Sequence, residues 1–189
     1  MNRYYILIFI LLVFTFIFTG CNERKNAEAS LNQMFYELKA NDPTETKQYR
    51  PDGYEVPPYL GVMQKGQLDT LSYKIVSSEK TTDNKVLITT EVTAANMGLV
   101  MGEFTKQSLP FYYAHDEKKI SSDQCDEEFI KIVQNIYAEK EKLPMVTTPV
   151  IFTVFKDEND VWQVEPNEEL ENAVTGGFKK YIEGYLQQQ

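Results

Sequence analysis

The chain has 189 residues, with 19 Lys and Arg against 28 Asp and Glu, for a net charge of −9. That balance excludes a nucleic-acid binder, which needs clustered cations to neutralise phosphates, and excludes adhesion to anionic lipid by net charge alone. The length suits one domain with a sizeable core, and aromatics are plentiful, with 12 Tyr and 11 Phe, although several of the Phe fall in the first 20 residues.

The first element is an address. Arg3 precedes an apolar run from Ile6 to Phe18, broken only by Thr15. As a helix these residues reach about 20 Å, short of the roughly 30 Å of a bilayer core and suited to a signal-peptide hydrophobic region. Phe18-Thr19-Gly20-Cys21 follows, and it resembles the lipobox of bacterial lipoprotein signals: an aliphatic residue, a small residue, Gly or Ala, then Cys. Phe18 stands where Leu is usual. The resemblance implies a signal peptide over 1–20, cleavage before Cys21 and a thioether-linked diacylglycerol on Cys21. It also implies an anchored protein on the extracytoplasmic face of the cell membrane. Two acyl chains hold stably where one binds only marginally. An uncleaved anchor and an ordinary secretory signal are the alternatives. Losing Arg3 with the signal takes the charge from −9 to −10. With Cys21 lipidated, Cys125 has no disulfide partner and reads as a spectator thiol near a helix start. No other segment is long and apolar enough to cross a membrane.

Residues 21–26 read as the lipidated Cys and a short polar tether, and 27–189 as a single α+β domain. Leu31, Met34, Phe35 and Leu38 recur at helical spacing, and Asn41-Asp42-Pro43 ends that helix. Residues 44–69, rich in Pro and Gly, predict a long loop with one short helix near 59–65. Leu71, Tyr73 and Ile75 alternate, Thr82 to Lys85 turns the chain, and Val86, Ile88, Thr90 and Val92 alternate again, which predicts a hairpin. Met97, Val100, Met101 and Phe104 share a helical face, limited by Leu109-Pro110. Phe111 to His115 is an aromatic cluster of undefined state. Ser121 or Ser122 caps the next helix, whose acidic first turns suit the helix dipole and whose buried stripe is Phe129, Ile132, Val133, Ile136 and Tyr137. Val150 to Phe155 and Val161 to Val164 flank an acidic turn as a second hairpin. Asn167 caps a last helix with an apolar stripe from Leu170 to Leu186, in which Gly176-Gly177 permit close approach to another element.

The order helix, hairpin, helices, hairpin, helix resembles the nuclear transport factor two-like superfamily, the cystatin-like α+β cone. The residues that carry the resemblance are Val161-Trp162-Gln163-Val164 on the last strand and Pro166-Asn167-Glu168-Glu169-Leu170 after it. Small bacterial lipoproteins of unknown function share such a tail. The resemblance implies a curved antiparallel sheet packed with helices, here with extra helices in the middle and at the end. That fold hosts isomerases, dehydratases and non-enzymatic binders, so it does not select a function.

Catalytic parts are few. His115 is the only His, no Gly-x-Ser-x-Gly elbow is present, and no Cys/His pair has metal-ligand spacing. Asp157 to Asp160 reads as a solvated hairpin turn rather than a calcium loop, and Asp123 to Glu128 as helix-start chemistry. No catalytic residue, metal site or cofactor is indicated. The candidate binding surface is aromatic: Tyr49, Tyr54 and Tyr59 around Pro57-Pro58, and Phe111, Tyr112 and Tyr113. Tyr pairs an apolar body with a polar tip, which suits interfaces, although the same rings could simply pack the long loop onto the sheet. The expected function is a non-catalytic binding or interaction module of the cell envelope, taking an envelope protein, a peptide or a small apolar ligand. The alternative is a small pocket enzyme of isomerase or hydrolase type on the same fold. A buried carboxylate facing a Tyr in an open cavity would favour the enzyme; a cavity filled by Phe, Met and Leu would oppose it.

Overall fold

A computed structural model describes residues 3–44, 55–81 and 84–178, with side chains from Asn22 onward. The architecture is α+β, as expected: the described residues form five α-helices and a four-stranded antiparallel sheet of order β1-β2-β3-β4. The chain groups into two compact units. The first holds Met1–Tyr36, Ile75–Thr90 and Ile151–Asn167; the second holds Glu37–Lys74, Glu91–Val150 and Glu168–Gln189.

Helix α1 runs without a break over Arg3–Ala40. Residues 22–26, read as a tether, are therefore helical and advance only about 1.5 Å each. In the first unit α1 packs on strands β1 (Ser72–Lys80), β2 (Lys85–Ala95) and β3 (Met145–Lys156). Ala27, Leu31 and Phe35, at helical spacing, are fully buried, as are Val86, Ile88, Phe152 and Val154 from the strands. Phe35 meets Phe152 edge-on at 5.8 Å. Two flanks of α1 are tied to the two edge strands. Ser78 Oγ on β1 donates to Glu28 Oε1 at 2.5 Å, and Ser30 Oγ donates to the carbonyl of Trp162 on β4 (Trp162–Val164) at 3.1 Å. Two residues of helix turn by about 200°, so Glu28 and Ser30 point to opposite sides. A further tie, the Lys80–Glu23 ion pair, lies one helical turn closer to the N-terminus.

Strands β2 and β3 share one antiparallel register. It is marked by Lys156 N–H to Asn84 O (3.4 Å), the Thr93–Thr147 hydroxyl pair (2.7 Å) and Asn96 N–H to Pro144 O (2.8 Å). The even-numbered residues of β3 bond toward β2, so the odd-numbered ones bond toward its other edge. There β4 pairs only with Val154, Phe155 and Lys156. Beyond that, the Thr153 carbonyl accepts from Glu165 N–H (2.9 Å) and the Ile151 carbonyl from Asn167 Nδ2 (2.8 Å). Pro149, next in the series, has no N–H to leave unpaired, which explains a proline inside a 12-residue strand.

The second unit packs α2 (Pro58–Thr70), α3 (Met97–Asp116) and α4 (Ser122–Ala138) together with α5 (Glu168–Val174). Helix α2 spans 13 residues, longer than the short helix expected near 59–65. Pro58 sits in its first turn, where a missing N–H costs nothing and the fixed φ helps. Its glycines are contact points rather than breakers: a Cβ on Gly66 would fall within 3.0 Å of three atoms of the Tyr137 ring. Helix α3 passes through Pro110 to Asp116, against the expectation that Leu109-Pro110 would limit it. Pro110 is exposed, so the carbonyl it frees one turn back, on exposed Lys106, is open to water. The true stop is a Schellman motif, with Lys119 N–H to Ala114 O and Lys118 N–H to His115 O, both 2.8 Å. Lys118 occupies its left-handed position at φ 58.

Helix α4 begins at a capping box. Ser121 Oγ accepts from Gln124 N–H at 3.3 Å, and Gln124 Oε1 accepts from Ser121 N–H at 3.0 Å. Helix α5 ends in a second Schellman motif, Gly177 N–H to Asn172 O and Gly176 N–H to Ala173 O. Gly176 has φ 58, and a Cβ there would meet the Ala95 carbonyl carbon at 2.8 Å and its oxygen closer still. The close approach expected at Gly176-Gly177 is found at Gly176 and not at Gly177, and it follows the end of the helix rather than continuing it. The stripe beyond Phe178 lies outside the described residues.

Candidate functional site

Of the aromatic candidates, Tyr49 and Tyr54 lie outside the described residues, and Tyr59, Phe111, Tyr112 and Tyr113 belong to the second unit. The first turn of α2 inserts Tyr59 between α3 and α4. Its ring stacks on Phe104 at 5.2 Å and meets Phe129 edge-on at 5.3 Å, and Tyr112 lies 4.6 Å from Phe129. Burial pushes the Tyr59 phenol up to about 12, assisted by a hydrogen bond with Tyr112 and by the nearby Asp126 and Cys125. Successive helical residues are about 100° apart, so Phe111, Tyr112 and Tyr113 cannot all face one way. Phe111 packs against the apolar cluster, Tyr112 is 43% exposed at its rim, and Tyr113 is 65% exposed. The structure therefore brings Tyr59, Phe111 and Tyr112 together and leaves Tyr113 pointing to solvent.

Beneath the aromatic cluster lies a buried polar bridge that the sequence reading did not identify. The Gln67 amide donates to the carbonyls of Ala95 (2.7 Å) and Val174 (2.8 Å), and its Oε1 accepts from Tyr137 Oη (3.0 Å). Gln67 and Tyr137 are almost fully buried, and burial raises the Tyr137 phenol well above its ordinary value. One amide thus joins α2, α4, the end of β2 and the end of α5.

An open groove of about 610 Å³ was also missed. Leu99, Val100, Ile136, Leu143 and Pro144 line it, with Glu103 and Lys142 among its polar residues. Leu99 is 57% exposed. A signal for it existed: Leu99 falls outside the buried stripe of its own helix. No carboxylate facing a buried Tyr lines this groove. The carboxylate that does act on Tyr59, Asp126, is held above the usual range by burial and by Asp123, beside a core of Met63, Phe104, Phe129, Ile132 and Val133.

His115 Nε2 lies 3.1 Å from Ser122 Oγ, at the end of α3 and the start of α4, in a shallow depression. Among the described residues no carboxylate hydrogen-bonds its other ring nitrogen; Asp126 interacts with it through charge alone. The pair lacks the oriented third group that makes a His an effective base. Cys125 is 6% exposed, and burial pushes its thiol up, away from reactivity. In the β3–β4 turn Asp157 accepts from Asn159 N–H (2.8 Å), Val161 N–H (3.0 Å) and Gln163 Nε2 (3.3 Å), which lower its pKa. Its oxygens serve the turn itself. Among the described residues no group of three His, Cys, Asp or Glu could hold a metal ion, and no helix is long and apolar enough to cross a membrane.

No family model matches the chain, and no curated protein is similar to it in sequence. Among solved structures it is similar to the Bacillus subtilis protein ycdA, a "putative lipoprotein" by name, with 12% identity and a TM-score of 0.42. The match covers 62% of this chain and 36% of that one, so the chain spans about a third of the neighbour's length. At that score the likeness carries no argument about function.

Proposed function

We propose that the protein is a lipid-anchored extracytoplasmic lipoprotein. Its nuclear transport factor two-like domain acts as a non-catalytic binding module of the cell envelope. The address rests on the 13-residue apolar run and on Phe18-Thr19-Gly20-Cys21. The two hairpins of one antiparallel sheet, separated by a helical pair and followed by a last helix, support this reading, with α2 added before the first hairpin. The observation that carries the binding reading is the exposed apolar series on α3, where Leu99, Leu109, Tyr112 and Tyr113 are all at least 43% exposed and Leu99 lines an open groove. Scattered apolar residues are ordinary on a surface; several on one helix next to a groove suit an apolar segment of a partner.

The test is crosslinking in intact cells expressing the full chain, with Cys21→Ala and Leu99→Asp in parallel. A recurrent partner that disappears with Cys21→Ala and weakens with Leu99→Asp is the expected result. A partner retained by Leu99→Asp would place binding elsewhere. A Cys21→Ala protein that is still lipid-labelled and normally processed would refute the address.

A further inference from the structure

The groove beside α3 stands open among the described residues, with Leu99, Val100, Ile136, Leu143 and Pro144 as its apolar wall. The described residues end at its mouth. Met97 N–H donates to the Thr175 carbonyl at 3.4 Å, which holds the turn after α5 against the start of α3. The Phe178 ring then lies 3.8 Å from where a Cβ on Gly98 would stand. A small depression there is lined by Gly176, Gly177, Phe178 and Leu99, and Leu99 also lines the groove, so the two adjoin at that side chain.

Eleven residues follow Phe178 in the sequence. Tyr181, Ile182, Tyr185 and Leu186 recur among them at i, i+1, i+4 and i+5, the spacing of one helical stripe. Read as a helix, the eight residues from Lys179 to Leu186 advance about 12 Å. Along α3 the groove runs from Leu99 to Gln107, also about 12 Å. The segment therefore starts beside the groove, has the length of the groove, and carries an apolar stripe to lay in it.

We propose that residues 179–189 are a strap that closes over this groove within one molecule, with Ile182 and Leu186 set against its apolar wall. A partner reaches the groove by displacing the strap. The strap goes beyond the binding reading, since it can close whether or not a partner binds there.

The test is maleimide labelling of single added cysteines in the full-length, lipid-processed protein in maltoside detergent, read peptide by peptide. Gln107→Cys reports from the far end of the groove, and Leu109→Cys, exposed on the same helix outside it, is the reference. Each is made with the parent segment and with Ile182→Asp/Leu186→Asp. The rate at Gln107→Cys relative to Leu109→Cys should rise about fivefold with the two aspartates, as for a strap closed about four-fifths of the time. Ending the chain at Phe178 should raise it equally. An unchanged ratio in either variant would overturn the strap. So would a parent ratio that rises on dilution, because the covering segment would then belong to another copy. Buried Cys125, unlabelled throughout, confirms that the fold is intact in each comparison. No partner is present, so failure of the strap and failure of partner binding are read separately.

Discussion

The two units bury their helices by different means. In the first, an apolar stripe of α1 lies on apolar strands, with polar ties at its flanks: Glu23 with Lys80, Glu28 with Ser78, Ser30 with the Trp162 carbonyl. In the second, a polar amide stands at the centre, with Gln67 serving two carbonyls and the Tyr137 hydroxyl at once. A rim tie can return to water when broken, so its net worth is small. A central tie cannot, so its loss carries the desolvation cost of every group left behind. The first unit should tolerate polar substitutions and fail on apolar ones; the second should fail on both.

The largest effect is expected in the first unit. Phe35→Ala removes a fully buried ring and its edge contact with Phe152, at a cost of about 3–5 kcal/mol in urea unfolding. Amide exchange should rise across Val86–Thr90. Equal loss of protection across 129–137 would break the distinction between the units. Next, Gln67→Leu should cost about 2–3 kcal/mol, because it orphans the Ala95 and Val174 carbonyls and the Tyr137 hydroxyl. Adding Tyr137→Phe to that variant should cost less than Tyr137→Phe alone. Strict additivity in this cycle would show that the hydrogen bond between them contributes nothing.

Lys118→Gly should stabilise by about 1 kcal/mol, since a side chain now occupies a left-handed position at the Schellman stop of α3. A lower thermal midpoint would mean that the Lys118 side chain does something the backbone does not reveal. The smallest effect appears only in alkali. The folded Tyr59 phenol titrates at about 12 against 10.0 for a free one, so the folded state keeps a proton that the unfolded chain releases. Stability from this group is complete below pH 10 and is lost as pH rises through 12. Tyr59→Phe should therefore flatten the decline between pH 10 and 12, and an unchanged slope would show that Tyr59 is not the group responsible.

Much of the first unit was legible because its cause is local and periodic. Leu31 and Phe35 fall on one helical face, and Val86, Ile88 and Thr90 alternate along a strand, so burial follows from spacing alone. The second unit resists such reading. Pro110 predicts a helix end by a local rule, yet the half-buried ring of Phe111 and the backbone stop after Asp116 prevail. The glycines of α2 resemble breakers until the Tyr137 ring is seen against Gly66. The pairing of Tyr59 with Tyr112, and of Gln67 with Tyr137, joins residues more than fifty positions apart, and no local pattern encodes that. Leu99 could have been noticed, since an apolar residue outside its helix's stripe already asks for a partner.

The outer edge of β3 has a consequence for neighbouring molecules. Its carbonyls at Thr153 and Ile151 are occupied by Glu165 and Asn167, and Pro149 then removes a donor altogether. An open strand edge is a template on which another copy can add its own strand. Under the proposed anchoring, copies would meet repeatedly in two dimensions with edges at a common height, conditions that favour zippering into sheets. A backbone bond, a side-chain bond and a proline in turn silence this edge of β3, so a neighbouring copy finds no free ladder there on which to add a strand.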